Sequence, residues 1–138
     1  MKAGLFAASV VTAAALAAPA PGSNVSPRSF VTPGRNVGCE LGLDRHVPGP
    51  VTYVFCLAYR AGSPYRTAVA VRMSGTARLT VCHGLKCIGN SGHVPVLKVG
   101  HSIRLGPFRC TSLRRGVRCV VTSLHRGFRL STAGLKRV

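Results

Sequence analysis

The stretch Thr67-Ala-Val-Ala-Val-Arg-Met-Ser-Gly-Thr-Ala-Arg-Leu-Thr-Val-Cys82 decides the fold class. Apolar side chains alternate with small or polar ones on both sides of Ser74-Gly75-Thr76, the period of strands with one buried face. A three-residue loop at Ser74-Gly75-Thr76 sets Val69 opposite Val81, Val71 opposite Leu79 and Met73 opposite Ala77 on one face. The other face then pairs Arg72 with Arg78 and Ala70 with Thr80. A slip of one residue would turn the whole apolar set toward solvent, so turn and pattern support each other.

Outward from this hairpin the same period recurs. Val51-Thr-Tyr-Val-Phe-Cys-Leu-Ala58 is dense in β-formers and follows the breaker Val47-Pro-Gly-Pro50. Further short strands are expected over residues 94–99, 101–105, 107–113, 117–124 and 127–131. They are punctuated by Gly89-Asn-Ser-Gly92, Gly100, Gly106-Pro107 and Arg114-Arg-Gly116. After the N-terminal apolar run no segment sustains a 3.6-residue period. The expected fold is all-β, a small disulfide-stabilised sandwich or barrel of seven to nine short strands.

The chain has 138 residues, a length for one small domain. Met1-Lys2 precedes an apolar, alanine-rich run that ends in Ala15-Leu16-Ala17, the pattern of a secretory signal peptide cut after Ala17. Residues 1–17 are thus expected to be the signal and 18–29, rich in Pro, Ser and Ala, a flexible linker. The β domain is expected over 30–131, and 132–138 as a frayed basic tail. The mature chain has no transmembrane segment, and the expected location is secreted or cell-envelope associated.

Six cysteines in an exported chain read as three disulfides. Six allow 15 connectivities, and cross-strand proximity favours neighbours in sequence. Cys110 and Cys119 lie in the two arms of a hairpin turning at Arg114-Arg115-Gly116. Neighbour pairing would then join Cys39 with Cys56 across the first two strong strands and Cys82 with Cys87 around a small ring, a connectivity that the spacing favours and does not fix.

These residues resemble a family of small secreted actinobacterial proteins known only as a domain of unknown function. The resemblance lies in Phe30-Val-Thr-Pro-Gly-Arg-Asn-Val-Gly-Cys39, Val81-Cys-His-Gly84 and Gly100-His-Ser-Ile-Arg-Leu-Gly-Pro-Phe-Arg-Cys110-Thr-Ser112. It continues in Gly116-Val-Arg-Cys119 and Gly127-Phe-Arg-Leu-Ser131. It implies export and a disulfide-tied β-rich fold, and says nothing of activity. The chain departs from the family at Gly34-Arg35-Asn36, and in having Leu85-Lys86 and Cys87 after Cys82.

Catalytic chemistry has little to work with. Glu40 and Asp44 are the only acidic residues, too few for a calcium cage, and at four residues apart they make a poor glycosidase pair. There is no Gly-x-Ser-x-Gly elbow, and a triad would need His46, His83, His93, His101 or His125 oriented by one of these acids. Cys82-His83-x3-Cys87-x5-His93 offers four zinc-type ligands, but its spacing matches no common zinc pattern, and a disulfide with exposed histidines accounts for it. A non-enzyme with no cofactor and no metal is expected.

What is left is charge. Nineteen cations against two anions give a formal +17, and 15 of the cations are arginine. Arg104, Arg109, Arg114, Arg115, Arg118, Arg126 and Arg129 crowd a segment without acids. Guanidinium forks bind phosphate and carboxylate bidentately. These seven are the candidate anion-binding residues, with Arg109 and Arg118 expected to project together from one hairpin. The expected function is a monomeric, non-catalytic cationic domain that binds an anionic cell-envelope or extracellular polymer or surface. No nucleic-acid module is present, and export argues against nucleic acid as a physiological partner. The alternatives are a secreted hydrolase, a metal-binding protein or a membrane-active cationic effector.

Overall fold

A computed structural model describes residues 28–44, 51–59, 68–87 and 94–138. The signal segment, most of the linker, the breaker before Val51, the turn at Gly89–Gly92, and His46 and His93 lie outside the described residues.

Ten strands form two antiparallel sheets of five, one more strand than the upper end of the expected range. The first sheet runs in sequence order β1 (Arg28–Val31), β2 (Val37–Asp44), β3 (Val51–Ala58), β4 (Val69–Ser74), β5 (Leu79–His83). The second follows the same plan with β6 (Ser102–Leu105), β7 (Phe108–Leu113), β8 (Gly116–Val121), β9 (Arg126–Ser131) and β10 (Gly134–Arg137). Each sheet is a plain meander in which every strand pairs antiparallel with its neighbour in sequence.

One core joins the sheets. Phe30, Leu41, Val54 and Met73 of the first are 1% exposed or less, as are Phe108, Val117, Phe128 and Leu130 of the second. Each such side chain contributes roughly 1.5–3 kcal/mol through burial. At the centre, Cys39–Cys56 and Cys110–Cys119 link directly opposed residues, each with Cα atoms 4.1 Å apart. The Sγ atoms of Cys56 and Cys119 meet across the sandwich at 3.8 Å. Both sulfurs are in disulfides and hold no proton, so this is a packing contact between the two sheets. Cys82–Cys87 closes the third bridge through a 3-10 turn, Leu85–Cys87.

The hairpin that reveals the fold has a corrected register. Val71 faces Val81, Met73 faces Leu79, and Arg72 faces Thr80 rather than Arg78. The three-residue loop is Gly75-Thr76-Ala77, one position later than expected. Ser74 explains the choice: its N–H donates to the Arg78 carbonyl at 3.0 Å, and its Oγ accepts from the Arg78 N–H at 3.2 Å. The pairing moves by two residues, one full strand period, so Val69, Val71, Met73 and Leu79 still pack on the core, while Val81 on edge strand β5 is 38% exposed. Ala77 ends the loop at φ 59°, a left-handed conformation that costs an L-residue about 1–2 kcal/mol. Ala77→Gly is therefore expected to raise unfolding free energy by about 1 kcal/mol in urea titration.

Other boundaries also differ from the sequence reading: the strand expected over 117–124 ends at Val121, where residues 122–125 turn into β9. Residues 94–99 do not form a strand but make a single parallel bridge, Val96 to Val31. Val31 donates to the Pro95 carbonyl, and Leu97 donates to that of Val31; Pro95 has no N–H with which to extend the ladder. Arg28 and Ser29 belong to β1 rather than the linker, paired with Leu41 and Glu40 beside the anchored Phe30. The tail is not frayed. Gly134, at φ 130°, follows the turn Thr132-Ala133 and sends β10 back along β9. Gly127 and Val138 then exchange backbone hydrogen bonds at 2.8 and 3.1 Å, while Leu135 packs against the core.

Candidate anion-binding face

Strand parity sorts the second sheet into an apolar inner face and a cationic outer one. Phe108, Cys110 and Ser112 of β7 point inward, so Arg109 and Thr111 point out. Cys119 and Phe128 are opposed inside, which puts Arg118 and Arg129 directly opposite each other outside. Lys136 of β10 is opposite Arg129. Arg118, Arg129 and Lys136 thus form one row across three neighbouring strands, all exposed, at a strand spacing of about 4.8 Å.

A second pair lies alongside. Arg104 of β6 is opposite Arg109 of β7, and both are exposed. The Arg109 Nε donates to the Ser102 Oγ at 3.4 Å, and that oxygen lies 2.7 Å from the Thr111 Oγ1. Both acidic side chains of the chain are on β2 of the first sheet, so no acidic side chain within the second sheet compensates either group. Like charges directly opposite on a sheet cost stability.

Of the seven arginines singled out by sequence, Arg104, Arg109, Arg118 and Arg129 share this face. Arg109 and Arg118 project from the same side but are diagonal, since their partners are Val120 and Thr111. Arg114 and Arg115 form the exposed turn between β7 and β8. Arg126 is opposite Val121 and has the inward parity, at the far end of β9, so it stands apart from the face. Lys136 belongs to the site but is missing from the sequence-derived set, because residues 132–138 read there as a tail.

At the end of the face, between the β7–β8 and β9–β10 turns, lies a cavity of about 280 Å³. Arg115, Arg129 and Lys136 supply its charge, and Leu113 and Leu135 contribute apolar lining.

The first sheet uses one of its two acids, Glu40, to order its outer face. The Tyr53 hydroxyl donates to the Glu40 Oε1, and the Arg72 guanidinium lies 4.0 Å from the centre of the Tyr53 ring. Gly42 makes room for that ring: a Cβ there would come within 2.8 Å of the Tyr53 hydroxyl. Glu40 therefore holds an aromatic and a cation in place on the outer surface. Arg72 and Arg78, which do not face each other, both line a shallow crease over Tyr53.

The sulfurs of Cys39, Cys56 and Cys119 lie within 4.8 Å of one another, but all belong to disulfides and none is a thiolate ligand. The Cys82–Cys87 bridge likewise takes both thiols of the Cys-His-Cys-His cluster.

Comparison with protein-family models, curated proteins and solved structures finds no match to this chain.

Proposed function

We propose that this chain is an exported, non-catalytic β-sandwich that binds an anionic cell-envelope or extracellular polymer along the outer face of its second sheet. The observation behind this reading is the Arg118–Arg129–Lys136 row, three cations aligned across adjacent strands in a sheet without acidic side chains. Such a row lowers stability by itself and is relieved when polymer charges lie across it. Export is supported by the apolar N-terminal run and by three disulfides. Among the described residues no helix is long and apolar enough to cross a membrane.

The test separates a site from general attraction. Two triple variants lose the same net charge: R118Q/R129Q/K136Q on the face, and R28Q/R78Q/K86Q, all exposed and off it. Heparin affinity is measured between about 50 and 200 mM salt. The face variant is expected to lower the log–log salt slope by about 2–3, the value for three lost contacts. It is also expected to gain a few tenths of a kcal/mol or more in stability. The off-face variant should bind nearly as well as wild type. Equal losses in the two variants would show that the charge acts only as a diffuse field and would overturn the proposal.

A further inference from the structure

We infer that the cavity closing the basic face is a subsite for one acid-bearing sugar unit, which makes the polymer of the preceding proposal an acidic glycan. This inference rests on that reading of the face and narrows its ligand. The cavity's volume, about 280 Å³, is close to the lower end for organic ligand sites and far larger than a bare phosphate needs. Its lining has two characters. Arg115 comes from the β7–β8 turn, Arg129 and Lys136 from the adjoining strands, and all three are exposed. Leu113, Ala133 and Leu135 supply apolar surface beside them.

A polyphosphate chain would engage the cations and leave the leucines unused. A pyranose ring has C–H faces that lie on apolar side chains, and a carboxylate, sulfate or phosphate substituent suits a guanidinium fork. The fold makes the position definite, because both turns are two-residue loops followed by glycine at positive φ, Gly116 at 144° and Gly134 at 130°. They leave the sheet at the same end and bracket the cavity.

Trigalacturonate is the probe, with maltotriose as its neutral counterpart, both titrated into the full oxidised chain. Arg114 and Arg115 are neighbours in the same turn and carry the same charge, but only Arg115 lines the cavity. R115Q is expected to weaken trigalacturonate binding about tenfold or more, as for one lost charge-assisted hydrogen bond, and R114Q less than about twofold. Ala133→Trp fills the cavity from an exposed turn position and should abolish trigalacturonate binding while leaving the heparin salt slope unchanged. Maltotriose should not bind. Equal effects of R114Q and R115Q, or wild-type trigalacturonate affinity in A133W, would overturn the subsite and leave the polymer-binding face standing. Loss of specific heparin binding in the wild-type protein would instead remove the face itself.

Discussion

Replacing Gly127 by alanine is expected to unfold the second sheet or cost it more than about 4 kcal/mol, the range of rare, severe substitutions. A Cβ at this position would lie 2.0 Å from the Cys119 carbonyl oxygen and 2.8 Å from the Val120 Cα. Those atoms are backbone in the middle of β8, so no side chain can swing aside. β8 is also the strand that carries Cys119 and Arg118, and Gly127 holds Val138 and hence β10. The disturbance therefore reaches the core disulfide and the cationic row together. Gly100→Ala is the control: its φ is 82°, but a Cβ there has nothing within 4 Å. It should cost only the left-handed penalty of about 1–2 kcal/mol. Urea unfolding of the two variants, followed by circular dichroism, separates steric overlap from backbone preference. Similar midpoints for both would refute the packing account of Gly127.

The second large effect is expected on reduction, in two stages. Cys56, Cys110 and Cys119 have no exposed surface and Cys39 only 5%, whereas Cys82 is half-buried beside the turn that ends at Cys87. A dithiol reductant should open Cys82–Cys87 in the folded protein and leave the other two bridges intact until denaturant is added. Loop entropy assigns about 2 kcal/mol to the bridge spanning 5 residues, and about 2.5 and 3 to those spanning 9 and 17. Loss of both core bridges removes about 5–6 kcal/mol, against the roughly 5–15 kcal/mol that holds a small domain folded. The fully reduced chain should therefore fail to refold. Alkylation with mass analysis through a reductant series reads the order, and simultaneous appearance of all six thiols without denaturant would contradict it.

The same residues show which parts of the fold were legible in advance. Period-two alternation at Val69–Met73 and Phe108–Ser112 depends only on which side chains avoid water, a local property, and it marked the strands and their inner faces. Cysteine pairing between strand neighbours was legible for a related reason, since a short hairpin leaves little choice of opposite residue. The loop at Ser74 was less so. Placing it one residue later needed the Ser74 hydroxyl and a left-handed Ala77, and sequence pointed to Gly75 as the turn glycine. The tail was misread although a signal was present. Leu113-Arg-Arg-Gly116 and Ser131-Thr-Ala-Gly134 share the same turn-then-glycine form, but only the first was followed by a conspicuous apolar strand.

By itself, the amino-acid sequence determined an all-β domain and most of its inward and outward positions, and it favoured the three neighbouring cysteine pairs and an excess of arginine on the outward positions. Those properties follow from alternation and composition, which act over a few residues. The tertiary structure alone decided that the arginines divide, with Arg126 apart from the others and Lys136 brought beside Arg129 and Arg118. It alone placed two turns, eighteen residues apart in sequence by their glycines Gly116 and Gly134, around one cavity. The physical reason is that alternation says which side of a strand faces water, while only hydrogen-bonded register across several strands says which charges share that side as neighbours.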